Sequence, residues 1–372
     1  MESSGLVANA GTLVLVTGAT GFVASHCIKQ LLDAGYGVRG TVRSLQNDKK
    51  NGPVRDLDRT GRLELVEAEL TDEQSWIPAV KGCTFVLHVA SPVLITGRPT
   101  ENEVVKPAVD GTLNVLRAVD AEPLVKRFVY CGSIAAVMTG NLDASKTDFG
   151  EEDWSALEGC RPYDKSKHLA EKAAWDFVSG LKEKGRAIDM VAILPSAIAG
   201  PPIVPCHGSG GVEMFRALLS GWMPMPRVSL LMVDVRDVAQ AHVLAMRAER
   251  AGGRRILVNT DGAEDADAND MACLLRQEFS PQGYKVWTWA PPRWLVRVGG
   301  WLSSDFAGTH RLVDQKLTLS SKERRELLGM TEMIDWKTAV LSMIYTMIEQ
   351  GVLPKTGAYK GMDPALKPYP TP

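Results

Sequence analysis

Tyr163 and Lys167 stand four residues apart in Pro162-Tyr163-Asp164-Lys165-Ser166-Lys167. That spacing puts both side chains on one face of a helix, one turn apart. An unperturbed phenol titrates at about 10, too high for acid–base work at neutral pH. A neighbouring ammonium favours the phenolate and brings the group toward the working range. Ser133 ends the apolar run Phe128-Val129-Tyr130-Cys131-Gly132 and offers a hydroxyl that can hold a substrate oxygen while Tyr163 delivers a proton. Taken alone, the tyrosine and lysine spacing is common and Ser133 reads as a turn residue. The trio together describes proton transfer to an oxygen atom.

A second constellation lies near the start of the chain, in Thr17-Gly18-Ala19-Thr20-Gly21-Phe22-Val23-Ala24. It sits between an apolar strand pattern and an apolar helix pattern. Gly18 permits a tight turn, Gly21 lets a pyrophosphate approach the backbone, and Ala24 lets the helix lie close to a sheet. The helix N-terminus supplies unpaired N–H groups to a diphosphate. This is the pattern of a dinucleotide site. At the end of the next strand pattern, NAD-selective sites place a carboxylate toward the adenosine ribose, whereas this chain has Arg43, with Lys50 a few residues on. A guanidinium accepts no hydrogen bond but binds phosphate bidentately, so NADP is the expected ligand.

The elements that must position these groups alternate. Strand patterns at 13–17, 37–43, 85–89, 127–131 and 188–194 take turns with helix patterns at 22–32, 72–80, 103–119 and 163–181. Such alternation requires parallel strands joined by right-handed crossovers, a Rossmann-type doubly wound α/β sheet. After Leu194 the pattern loosens into Pro- and Gly-rich segments and Trp-bearing helices near 292–301 and 336–349. The expected organisation is a tail over 1–11, a dinucleotide-binding domain over 12–194 that also carries the catalytic residues, a mainly substrate-binding lobe over 195–352 with some segments returning to the sheet, and a tail over 353–372.

Composition narrows the function classes. The 372 residues are 45% hydrophobic and 23% charged, and 42 Lys plus Arg against 44 Asp plus Glu leave a net charge of -2. That composition is of a globular protein, with no basic field for nucleic acid and no polybasic membrane patch. The six cysteines are scattered, with no zinc-ligand spacing, and are expected to be reduced thiols. Residues 190–212 are uncharged and long enough to span a bilayer, but four prolines and a Gly cluster make them a strand and loop. The first residues carry no cationic and apolar leader, so a cytoplasmic location is expected.

At these residues the sequence resembles the extended short-chain dehydrogenase/reductases, in the dihydroflavonol-reductase-like branch. The resemblance rests on VTGATGFVAS (16–25), GYGVRGTVRS (35–44), GCTFVLHVASPV (82–93), EVVKPAVDGTLNVLRA (103–118), YDKSKHLAEKAAW (163–175), VDVRDVAQAHVLAM (233–246) and SKERRELLGM (321–330). It implies Ser133, Tyr163 and Lys167 as the catalytic trio and Arg43 with Lys50 at the 2′-phosphate. It also implies cofactor contacts from Gly18, Gly21, Phe22, Val23, Val89, Ala90, Ser91 and Pro195, with Glu69 and Leu70 in the place of the usual Asp-Leu adenine pair. Asn114 stands where related enzymes order a relay water, or else serves as a buried helix partner. Two departures bear on the substrate. Met138 occupies the position at which plant flavonoid reductases hold a phenolic ring with an amide or carboxylate, a bond it cannot make. Residues 159–162, Gly-Cys-Arg-Pro, replace the Asn-Trp-Tyr-Cys run of cinnamoyl-CoA reductases.

The expected function is therefore NADPH-dependent reduction of a ketone or aldehyde, with Ser133, Tyr163 and the apolar Met138 at a small-molecule carbonyl substrate. Alternatives are a sterol 3β-hydroxy dehydrogenase, a sugar-nucleotide epimerase or dehydratase, and a non-catalytic NADP sensor. Dehydratases place acidic groups just after the serine, where this chain has Ile134 and Ala135. A monomer and a homodimer are both compatible with the sequence. Trp287, Trp289, Trp294 and Trp301 are expected in the core of the smaller lobe, with a substrate lid or a membrane contact as the other readings. Met214, Met223, Met225 and Met232, with Trp222, suit either a pocket wall or core filling. His207 reads as a loop histidine, with gating of the site as its alternative role.

Overall fold

The computed structural model describes residues 11–92, 100–140, 146–158, 160–205, 210–302 and 312–367. Cys206, His207 and Gly159 lie outside them, as do most of the first eleven residues. The elements run β1 (Leu13–Val16), α1 (Phe22–Asp33), β2 (Gly37–Val42), α2 (Asp48–Arg55), β3 (Leu63–Glu67), α3 (Trp76–Val80), β4 (Phe85–His88), α4 (Glu101–Ala121) and β5 (Arg127–Cys131). They continue with β6 (Asp148–Phe149), α5 (Pro162–Glu183), β7 (Met190–Pro195), β8 (Ala197–Ala199), α6 (Gly210–Leu219), β9 (Met232–Asp234), α7 (Val235–Arg247) and β10 (Arg255–Val258). The last are α8 (Ala268–Phe279), α9 (Arg293–Leu302), β11 (Thr318–Leu319), α10 (Lys322–Leu328) and α11 (Trp336–Glu349).

Seven parallel strands form one sheet in the order β10-β7-β5-β4-β1-β2-β3. The order reverses between β1 and β4, the point at which ligands enter open α/β sheets. Alternation along each strand builds two cores. Val14 and Val16, with Val129 and Ile193, face α1 and α7. Leu15, Phe128, Tyr130 and Leu194 face α4 and α5. Strands buried on both faces read as continuous apolar runs, which is why β5 and β7 were conspicuous in sequence. The expected helix over 72–80 is split: Glu73–Ser75 make a 3-10 turn before α3.

A third core belongs to the later part of the chain, where Phe215, Phe279, Met343 and Ile344 join α6, α8 and α11. Met214, Met223 and Met225 lean on it half-buried, and Met232 is inside it. The core expectation is corrected for Trp287, Trp289 and Trp294, which are exposed, as is Trp222; the Trp301 side chain lies outside the described residues. The segment after α11 is held as well. Tyr284 Oη donates to Pro354 O at 2.7 Å, Lys360 N donates to Gln282 at 3.2 Å, and Met362 and Leu366 rest on the third core.

Candidate active site

The loop after β1 has the geometry its glycines require. Gly18 has φ +70°, and a Cβ there would meet Ala90 Cβ at 3.1 Å. A side chain at Gly18 is therefore both strained and crowded. Gly21 caps α1 in extended conformation, its N–H donating to Gly18 O at 2.8 Å, and the first turn of α1 carries no acidic residue. Phe22 and Val23 open the helix behind it. The unsatisfied N–H groups of that turn suit a diphosphate.

Thr17, Thr41 and His88, to which the sequence assigned no role of their own, lock this loop to its neighbours. Gly18 N donates to Thr41 Oγ1 at 2.9 Å, tying it to β2. Thr17 Oγ1 accepts from both Val89 N and Ala90 N at 2.9 Å and lies 3.1 Å from His88 Nδ1. With both lone pairs of Thr17 used, its proton must go to Nδ1, so His88 carries its own proton on Nε2. Burial, reinforced by the Lys167 charge, lowers His88 to about 3, so the ring is neutral. The signal available in sequence was a histidine directly before the Val89-Ala90-Ser91 turn, but only pairing across strands shows its partner.

At the end of β2, Arg43 is exposed, and Lys50 is exposed on the first turn of α2. Among the described residues neither forms an ion pair, which leaves two cations beside the loop for a phosphate. Glu69 is exposed, with its carboxylate accepting from Leu70 N at 3.0 Å. Leu70 is clamped by α4: Asn114 Nδ2 donates to Leu70 O at 2.8 Å, and a Cβ on Gly111 would meet Leu70 Cβ at 2.9 Å. Asn114 Oδ1 accepts from Arg117 at 2.9 Å. Asn114 thus ties Leu70 to α4 and binds the Arg117 side chain rather than a helix N–H.

Ser133 lies at the same edge of the sheet as the glycine loop, because Thr17, Val89, Ser133 and Pro195 follow or end adjacent parallel strands in register. Ser133 is half-buried and caps a short 3-10 turn that packs on α5; its Oγ accepts from Ala135 N at 3.2 Å. That bond leaves its proton to donate elsewhere. Tyr163 is half-buried in the first turn of α5, where Pro162 suits the helix start. Lys167 is 6% exposed, with Nζ 5.9 Å from the centre of the Tyr163 ring. The flanking charges are engaged elsewhere, Asp164 with Arg161 at 2.9 Å and Lys165 with Glu101 at 2.5 Å. Among the described residues no carboxylate pairs with Lys167, and a nearly buried ammonium in that state is costly unless a functional partner uses it. Met138 is buried, 5% exposed, among Val137, Phe149 and Leu317. The Cys131 thiol is pushed up by burial and the Cys160 thiol likewise, which disfavours the reactive thiolate.

Comparison with known proteins agrees with this geometry. The profile of the NAD dependent epimerase/dehydratase family matches residues 14–259. The chain is 35% identical over 287 residues to an anthocyanidin reductase of Vitis vinifera, covering 73% of this chain and 81% of that protein. It is 35% identical over 292 residues to a dihydroflavonol 4-reductase of Zea mays, covering 75% and 77%. The yeast methylglyoxal/isovaleraldehyde reductase, solved in complex with NADPH, superposes with a TM-score of 0.74 at 25% identity, covering 92% of this chain and 99% of that one. The chain belongs to the NAD dependent epimerase/dehydratase family, and within it to the extended short-chain dehydrogenase/reductases, as an oxidoreductase that uses NADP.

Proposed function

We propose that this chain reduces a ketone or aldehyde to an alcohol with NADPH, Tyr163 serving as the proton donor. Gly18, Gly21, Phe22 and Val23 would hold the diphosphate, Arg43 and Lys50 the 2′-phosphate, Glu69 and Leu70 the adenine, and Val89, Ala90, Ser91 and Pro195 the far side of the cleft. When bound, NADPH supplies the hydride. Ser133 donates its free proton to the carbonyl oxygen and orients it. Lys167, beside the Tyr163 ring, can hydrogen-bond a ribose hydroxyl, while Tyr163 releases its proton to the developing alkoxide.

The observation that carries this reading is the buried ammonium of Lys167 beside the Tyr163 ring, with no carboxylate paired to it among the described residues. Elimination chemistry finds no support, since Ile134 and Ala135 follow Ser133 and provide no acid. Met138 offers a phenolic ring only apolar contact, which favours carbonyl substrates recognised without a bond at that point.

The test is Tyr163→Phe assayed by NADPH consumption against aldehydes, α-diketones, sterol ketones and flavanonols. Loss of the phenolic proton should cost roughly a hundredfold or more in turnover while NADPH still binds. Turnover at the parent rate would reject the assignment.

A further inference from the structure

We propose that the face formed by Trp222, Trp287, Trp289 and Trp294 docks on a bilayer surface containing anionic lipid. These four rings are 85%, 51%, 53% and 66% exposed. Monomeric proteins seldom leave so much aromatic surface in water. Trp287, Trp289 and Trp294 fall within one short stretch of chain, and Trp222 follows the glycine that approaches Trp287. Ser220 bridges to Lys285, and a Cβ on Gly221 would lie 3.5 Å from Trp287, which places Trp222 beside it. Trp287 and Trp289 are exposed, while Val286 is buried and Thr288 half-buried between them. Asn269 holds that segment in place through Thr288 O at 3.0 Å. Pro291 and Pro292 then lead into α9, on which Trp294 and Val298 share the exposed side and Val296 is buried.

The charges around these rings favour a lipid surface over another apolar protein face. No carboxylate occurs between Glu278 and Asp305, a stretch that holds Lys285, Arg293 and Arg297 with Trp287, Trp289, Trp294 and Trp301. Exposed Arg276 donates to Thr288 Oγ1 at 3.2 Å, and exposed Arg227 joins Trp289 in lining one groove, in which Asp314 is the single acid among the described residues. Exposed Arg227, Arg276 and Lys285 thus bring positive charge beside the rings although the whole chain carries -2. Indole rings prefer the headgroup level, with the N–H toward water and the ring toward the acyl chains. Interspersed Lys and Arg add attraction to anionic headgroups. The ten residues of α9 are too few to cross a bilayer and suit lying in its plane.

The experiment is co-sedimentation of the full chain with vesicles of phosphatidylcholine, with and without phosphatidylserine, alongside tryptophan emission and quenching by brominated acyl chains. Binding should rise with phosphatidylserine, weaken with salt, and shift the emission to the blue. The triple variant Trp287→Ser, Trp289→Ser, Trp294→Ser should bind roughly tenfold or more weakly, with NADPH affinity and thermal midpoint serving as fold controls. Should that variant fail to fold, Arg276→Glu with Lys285→Glu, both at exposed positions, should abolish the phosphatidylserine dependence. Absence of sedimentation, equal binding by the folded variants, or a stable dimer whose emission ignores vesicles would overturn the proposal.

Discussion

Arg255 and Glu171 make a closed ion pair beneath the helix that carries Tyr163 and Lys167. The Nε to Oε1 distance is 2.7 Å, and the two side chains are 9% and 0% exposed. Trp175 donates to the same carboxylate at 3.2 Å, Arg255 donates to Glu151 O at 2.7 Å, and its guanidinium lies 3.8 Å from the centre of the Trp154 ring. Strand β10, helix α5 and the 151–154 loop are thereby joined at one point. Arg255→Met strands a buried carboxylate and should destabilise the fold by about 3 to 5 kcal/mol. Urea unfolding measures this, and the double variant with Glu171→Met should recover part of the loss.

Lys167→Met tests the partner of the proposed proton donor. It removes the ammonium beside Tyr163 while keeping an apolar stem of similar length. Turnover should fall by roughly a hundredfold or more. Combined with Tyr163→Phe, the loss should be far less than the product of the single losses, because the two groups act as one unit. Multiplicative losses in steady-state rates would separate their roles.

Arg43→Ala addresses cofactor choice. Loss of a charge-assisted contact to a phosphate is worth about 1.5 to 3 kcal/mol, or roughly ten- to a hundredfold in affinity. The dissociation constant for NADPH should rise by that factor while that for NADH stays near its parent value. An equal change for both cofactors would place Arg43 away from the 2′-phosphate.

Buried histidines set the response to acid. Burial lowers His26 and His88 to about 3 and His242 to about 4, from 6.5. The unfolded chain therefore takes up protons first, and the stability these residues contribute, full above 6.5, is lost as the pH falls toward their folded values. Each contributes about 1.4 kcal/mol of loss per pH unit within its window. Asp237, raised by burial from 3.8 to about 6, works in the opposite sense: its contribution is full below 3.8 and is lost as the pH rises through 6. Three groups outweigh one, so the urea midpoint should fall between pH 6.5 and about 4. His242→Asn should make that fall shallower, and an unchanged slope would contradict the assignment.

The local part of this protein was legible in its residues. Strand and helix alternate with distinct periods, glycines mark the turn after β1, and a four-residue spacing places Tyr163 over Lys167 whatever the rest of the chain does. The parallel sheet follows because short apolar strands separated by helices have few other ways to bury both faces. Tertiary structure alone decided where these pieces meet distant ones. Thr17 finds His88 across 71 positions, Asn114 reaches Leu70 across 44, and Glu171 meets Arg255 across 84. None of these pairings leaves a period in the sequence. The tryptophans show the same limit from the other side: an indole reads as core by its hydrophobicity, but Trp287 and Trp289 are exposed while Val286 is buried. Which side chains of a segment are covered depends on what packs against it, and that is settled only when the lobe assembles.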